Sequence, residues 1–348
     1  MKEGFDYWDY FLRECERANA PLYVQIIRGV GQDDELKEIA SHVKPGQPMA
    51  NILLAAVHFL LLRGADDSLR RFYPNLNGGH SLADDAFPAF KEFVLAHRGE
   101  VAELVAKGVT NTNEVGRSSA LHAGFRALAA EAGEPLALIE VGPSAGLNLI
   151  WDRYRVRYVR GADEYFAGRE NAELTIDCEL RGNKIPPLGP APKVASRVGL
   201  ELNPVDLKQA WWRDWLKALV WPDNLARFAR LEKAIDIFLR EAVEIRAGNA
   251  LSLLPEALAE IPEDRPVCVY HTYVTYQFSD AMRESLEHIL TMAGLRRPVW
   301  RLSAEGSLGR VGEAPLLLGR YHDGVKEVRE LGLCHHHGGW LEWHGSTP

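Results

Sequence analysis

Cysteine is scarce in this chain: four in 348 residues, Cys15, Cys178, Cys268 and Cys334, with no Cys-x-x-Cys pair. That excludes a disulfide scaffold and a zinc ribbon, and it fits a reducing cytoplasm. A surplus of positive charge is also missing, since 40 Lys and Arg face 48 Asp and Glu for a net charge of −8. The balance disfavours a partner held mainly through phosphate charge, so no nucleic acid is expected and a small-molecule substrate is. Long apolar runs are absent too. The longest, Ile52 to Leu62, is interrupted by His58 and reads as a buried helix rather than a membrane span. The opening segment, Met1 to Tyr10, is polar and aromatic, without the charged start and apolar core of an export signal.

What is present divides at about residue 115. Before it, apolar residues recur at three- and four-residue intervals over Tyr7 to Ala18, Asp34 to His42, Met49 to Leu62, Phe87 to His97 and Val101 to Lys107, which predicts an N-terminal helical cap over residues 1–115. A further helix is expected over Glu114 to Ala130. From residue 116 to 348 strands and helices alternate, with strands expected at Leu136 to Val141, Arg197 to Leu202, Val243 to Ala247, Val267 to Tyr270 and Pro298 to Ser303, and a final pair near Leu316 to His322 and Trp340 to Trp343. The fold class expected is therefore α/β, a doubly wound, mostly parallel sheet of the Rossmann type. Two inserts interrupt it. In 152–195, Arg155 to Val159 and Glu173 to Leu180 alternate as a hairpin would, followed by a proline-rich connector, and 205–240 is helical and rich in Trp.

The most informative stretch is Leu138 to Leu149, where an apolar strand runs into Gly142-x-Ser144-x-Gly146 and then helical spacing over Leu147 to Tyr154. A tight glycine turn before a helix amino terminus is how a nucleotide-type ligand is held. Glu140-x-Gly142-x-Ser144-x-Gly146 resembles the first motif of class I S-adenosylmethionine-dependent methyltransferases. Val198-Gly-Leu-Glu-Leu-Asn-Pro204 is similar to the second strand of that fold, and Arg246 to Pro255 to the adenine-binding segment, with Asn249 where an acidic residue is usual. Val267 to Tyr276 looks like the strand that carries acceptor-side groups.

The resemblance implies S-adenosylmethionine as cofactor, its ribose bound by Glu201 and its base by Asn249. It also implies His271, Tyr273 and Tyr276 as residues that orient the acceptor or take its proton. Cap and sheet would enclose the substrate. One spacing departs from the pattern: Glu201 lies 61 positions beyond Glu140, against about 20 in such sheets. Topology is preserved if the 152–195 insert leaves the domain and returns, and the assignment of Glu201 fails if the insert forms sheet strands.

Thr110-Asn-Thr-Asn-Glu-Val-Gly-Arg117, Glu140 to Asn148 with Trp151-Asp-Arg-Tyr154, and His335-His-His-Gly-Gly-Trp-Leu-Glu-Trp343 together resemble a bacterial family, domain of unknown function 2332. That resemblance implies one unit of cap and sheet, with Asn113, Glu114 and Arg117 just ahead of the first strand, where such helices cover a cofactor. Asn148 joins them as a binding candidate.

Two other functions stay open. Gly142-x-Ser144-x-Gly146 also matches the nucleophile elbow of α/β-hydrolases, with Ser144 as nucleophile, His271, His322 or His335 to His337 as base, and Asp280 or Asp323 as the orienting acid. A non-catalytic protein that keeps the nucleotide-like pocket for sensing is the second. Cys334-His-His-His337 invites a metal, but successive strand residues face opposite ways, so hydrogen-bonded histidines are the expectation. His58 and His122 read as satisfied core residues. Trp211, Trp212, Trp215 and Trp221 read as helix packing. The alternating Arg153, Arg155, Arg157 and Arg160 read as a solvated face. Asn75 to His80 is equally a glycine-hinged lid or a loop.

Overall fold

The structure, a computed structural model, describes residues 6–65, 68–77, 84–306 and 312–345. Of the lid-or-loop segment, residues 78–80 lie outside the described residues. Along the chain, α1 (Tyr7–Arg17), α2 (Pro21–Val30), α3 (Asp34–Ser41), α4 (Met49–Leu62), α5 (Phe87–Ala96), α6 (Arg98–Lys107) and α7 (Ser118–Ala132) precede β1 (Leu136–Val141). Next come β2 (Arg155–Arg160), β3 (Asp163–Gly168), β4 (Thr175–Arg181), β5 (Val194–Glu201), α8 (Ala210–Ala218), α9 (Leu225–Phe238) and β6 (Glu244–Ala247). The chain continues through α10 (Ala250–Ala259), β7 (Val267–Thr272), α11 (Asp280–Gly294), β8 (Val299–Ala304), β9 (Glu313–His322), β10 (Val325–His335) and β11 (Trp340–Trp343). Among the described residues no helix is long and apolar enough to cross a membrane.

These elements form two compact units, Met1–Thr112 with Asp206–Glu232, and Asn113–Val205 with Lys233–Pro348. The first is helical. Its centre is α4, buried on almost every side, and α8 packs there through Trp211 and Trp215, whose rings lie 5.5 and 5.8 Å from Phe59. Trp215 donates its indole N–H to the Val109 carbonyl at 2.9 Å. The tryptophans are thus core, as amphipathic spacing predicts. Most of the 205–240 insert belongs with these helices rather than with the sheet, because its apolar face is the one α4 needs. Side-chain oxygens of Asp6 and Asp33 cap α1 and α3, satisfying amide groups that a helix start leaves open.

The second unit is built on one 11-stranded sheet in the order β3-β2-β4-β11-β10-β9-β8-β7-β1-β5-β6. The block β8-β7-β1-β5-β6 is parallel throughout. From β1 the chain leaves to β5 and β6 on one side and to β7 and β8 on the other, so β1 is the switch point of a doubly wound sheet. Both faces of the parallel block are covered: Leu138, Tyr270 and Leu302 share a core with α7, and Ile139, Val269 and Val299 share one with α10 and α11. Two-sided burial is why β1 is a continuous apolar run interrupted only by Glu140.

Three sequence expectations need correction. The 152–195 insert is not a hairpin of two strands: β2 pairs with β4 in parallel and with the unforeseen β3 antiparallel. These strands do join the sheet, through β11 at the far end, and Glu201 keeps its place all the same because β5 pairs directly with β1. The helix expected over Leu147 to Tyr154 is a 3₁₀ segment, Leu147–Arg153, broken at Ile150. Its carbonyls explain this. Leu147 O accepts from Tyr154 Oη at 2.9 Å, Asn148 O from Tyr270 Oη at 3.3 Å and Leu149 O from Arg197 Nη1 at 2.6 Å, so side chains compete for acceptors that an α-helix would use.

Candidate ligand site at the carboxyl edge of the sheet

Parallel strands bring their carboxyl ends to one edge, and the chemistry-bearing residues line up along it. In strand order they are Asn249 beyond β6, Glu201 ending β5, the Gly142–Gly146 turn beyond β1, His271 and Tyr273 at the end of β7, and Glu305 after β8. His335 joins them, since β10 runs in the direction of β8 and ends beside Glu313 at the start of β9.

At the switch point Glu201 bridges two loops. Its Oε2 accepts from the Ser144 amide at 2.8 Å and its Oε1 from the Asn203 amide at 3.0 Å. Gly142, Ser144 and Gly146 all have positive φ, of 69°, 56° and 84°, which glycine adopts freely and serine at a cost. The two glycines serve different neighbours. A Cβ on Gly142 would come within 2.6 Å of Val274, whereas one on Gly146 would meet Ile245 and Phe238 at 2.9 and 3.1 Å. Gly146, expected to admit a ligand, is small so that the turn can pack on the sheet.

Glu140 is buried, accepts from Tyr270 Oη at 3.0 Å, and is pushed up to about 8 by burial, assisted by Glu201 and opposed by the Tyr270 bond and by Arg117. It is therefore largely protonated at neutral pH. Asn113 and Asn148 are structural ties: Asn113 Oδ1 accepts from the Leu147 amide at 2.8 Å, and Asn148 Oδ1 from Ser118 Oγ at 2.9 Å. Glu114 Oε1 accepts from the Gly116 amide at 2.9 Å, while its Oε2 lies 3.3 Å from His337 Nδ1. Arg117 Nε donates to the His336 carbonyl at 2.9 Å and Nη1 to that of Thr272 at 3.3 Å, and its guanidinium lies 4.6 Å above the Tyr273 ring. Asn249 caps α10 through Oδ1, accepting from the Leu251 amide at 2.9 Å. Tyr276 is exposed.

His271, expected as a base, is fully engaged. Arg301 Nε donates to its Nε2 at 2.9 Å, so the ring proton sits on Nδ1 and is given to Glu305 Oε1 at 2.6 Å. Burial lowers its affinity for a second proton, outweighing the pull of Glu305. No lone pair is left to accept a substrate proton. Glu305 was missed in the sequence, where only its position just after a strand marks it. It also accepts from the amides of Val274 at 3.0 Å and Tyr276 at 3.3 Å. Burial raises its pKa, but His271 and the Val274 and Thr275 amides outweigh that and hold it below the usual carboxylate range.

A family model matches residues 9–343, and its description is an uncharacterized protein conserved in bacteria, domain of unknown function 2332. The chain belongs to this family. No curated protein matches it. The family's match runs through both units and through the histidine turn after β10. In this family member His335 Nδ1 accepts from the Gly339 amide at 3.4 Å, and His336 Nδ1 donates to the Gly312 carbonyl at 3.0 Å. Among the described residues no group of three or more His, Cys, Asp or Glu could hold a metal ion.

Of the other hydrolase partners, His322 pairs with Asp323 at the opposite edge of the sheet, and Asp280 is bonded to Arg283 at 2.7 Å. His58 is satisfied, with Nδ1 at 3.1 Å from the Ala218 carbonyl and Nε2 at 2.9 Å from Asn75 Nδ2. His122 corrects the sequence reading: it is buried, yet neither ring nitrogen has a hydrogen-bond partner among the described residues, and burial lowers its pKa to about 3.

Proposed function

We propose that the sheet unit follows the plan of class I methyltransferases, binding S-adenosylmethionine at the β1 switch point for methyl transfer to a small molecule. The observation that carries this reading is the 2.8 Å bond between Glu201 and the Ser144 amide. It joins the carboxylate at the β5 tip to the glycine turn at the β1 tip, in the crevice where doubly wound sheets take their ligands. The donor set fits. Each oxygen of Glu201 accepts one backbone N–H, which leaves a second lone pair on each for a diol.

When bound, S-adenosylmethionine supplies an electrophilic methyl group on sulfur. The chain's own residues hold and orient. Glu201 would take the ribose and Asn249 the base, while Arg117, Tyr273 and Tyr276 stand on the acceptor side. His271 acts as a positioning residue rather than a base. Asn113, Glu114 and Asn148 support the turn, and Glu140, neutral near pH 7, keeps a second negative charge away from Glu201.

Calorimetric titration with S-adenosylmethionine and S-adenosylhomocysteine tests the reading. Both should bind, and Glu201→Gln should weaken them about tenfold, or about 1.4 kcal/mol. Absence of binding to the folded protein would sink the proposal. Covalent labelling of Ser144 by a fluorophosphonate would favour the hydrolase instead, and binding without turnover a sensor.

A further inference from the structure

The loop after β7 combines a costly conformation with a strong fastening. Tyr273 has φ of 55°, a left-handed backbone that a bulky side chain rarely adopts. Among the described residues its buried phenol oxygen has no hydrogen-bond partner, and the ring lies beneath Arg117 and against Gly306, where a Cβ would come within 2.9 Å of it. Both features disfavour this arrangement. The Tyr273 amide donates to the Ala304 carbonyl at 3.0 Å and Arg283 Nε to that of Thr275 at 3.2 Å, and one carboxylate takes two further amides of the loop. Glu305 accepts from the Val274 amide through both oxygens at 3.0 Å and from the Tyr276 amide at 3.3 Å. Behind Glu305 stand His271, fixed by Arg301, then Glu287, which receives bonds from Tyr321 Oη at 2.9 Å and Lys326 Nζ at 2.6 Å.

The loop's position has a direct consequence for the site. Val274 stands over Gly142, its two methyl carbons 2.6 and 2.9 Å from where a Cβ would be. The space that the absence of a side chain opens at the first glycine of the turn is taken by a valine from the loop after β7. A ligand approaching Gly142 and Val274 in its present place would compete for the same volume.

We propose that residues 273–277 form a gate over the glycine turn, kept shut by the Glu305 carboxylate, and that a ligand reaches Gly142 only when Val274 swings away. This rests on the reading that a ligand binds at the turn. The strained Tyr273 and its orphan hydroxyl make the closed state less favourable than its contacts alone would make it, so a ligand with modest differential affinity could shift the equilibrium. Glu305 is a positioning residue, acting through backbone amides rather than on a substrate.

Two measurements on the full chain separate the gate from the cofactor proposal. Hydrogen exchange resolved at the Val274 and Tyr276 amides, with no ligand present, should be at least tenfold faster in Glu305→Gln than in wild type, while β1 and β5 keep their protection. Unchanged exchange would overturn the gate whether or not S-adenosylhomocysteine binds. If Glu305→Gln loses protection everywhere, it has unfolded and Val274→Ala decides. That variant should raise the association rate of S-adenosylhomocysteine about tenfold, or confer binding that wild type lacks. A rate equal to wild type, or no binding by either protein alongside the unfolding of Glu305→Gln, overturns the gate. If neither protein binds while Glu305→Gln stays folded with fast loop exchange, the cofactor reading fails and the gate stands.

Discussion

The two sides of the β1 crevice carry similar devices with different backing. On the β5 side Glu201 bonds the amides of Ser144 and Asn203, and on the β8 side Glu305 bonds the amides of Val274 and Tyr276. Each fastens a loop containing a non-glycine residue of positive φ, Ser144 or Tyr273. Glu201 is part-exposed, and each of its oxygens accepts one amide. Glu305 is likewise part-exposed, at 17%, and receives a buried histidine as well. Equal chemistry at two strand ends therefore need not mean equal roles: the carboxylate that takes two amides retains capacity for a ligand, whereas the one that also takes His271 is committed to the fold.

The largest expected effect tests that contrast directly. Removing Glu305 strips His271 and two amides of their acceptor, so Glu305→Ala should cost about 3 kcal/mol in chemical denaturation. Glu201→Ala, losing amide bonds near solvent, should cost about 1 kcal/mol. Equal losses would break the comparison.

Glu140, between the two carboxylates, sharpens it through pH. Its folded pKa, about 8, is raised above the ordinary carboxylate value. Its contribution is therefore fully present below about pH 4.5 and is lost as pH rises through 8. Glu140→Gln, permanently neutral, should match wild type near pH 4.5 and become progressively more stable than it as pH rises to 8. A difference independent of pH would mean that Glu140 is already ionised in the fold. Glu305 has the opposite sign, with a depressed folded pKa, so its contribution is present above the unfolded value and fades as pH falls through the folded one.

The smallest effect concerns a polar group with no clasp. Among the described residues His122 has no partner for either nitrogen, and His122→Leu should stabilise the protein by about 1 kcal/mol. Its imidazole signals should also show no titration between pH 5 and 8, since burial lowers its pKa to about 3. Destabilisation by the leucine would point to internal water serving the ring.

Much of this edge was legible in the sequence because strand ends announce themselves. β1 and α4 have the bounds that periodicity predicts, and Glu201 stands out as an acid ending an apolar run. Other elements left fainter marks. The first six residues of β10 are all exposed, so no in-and-out alternation betrays a strand there. β3 is short and mostly exposed, and α2 is rich in β-branched residues that weaken a helical reading. Glu305 is one of 48 acidic residues, marked locally by nothing more than its place just after a strand. Its importance comes from His271 and Val274, which the pairing of β7 with β8 brings to it.

The seam at β11 has a consequence for how the chain matures. Among the described residues, the strands β2, β3 and β4 attach to the remainder of the sheet through Trp340–Trp343, which lies between β4 and β10. Residues 155–181 are made by the ribosome long before 340–343. Until those last residues arrive, β4 offers an unpaired border to any passing strand, a hazard for aggregation that chaperones would have to cover.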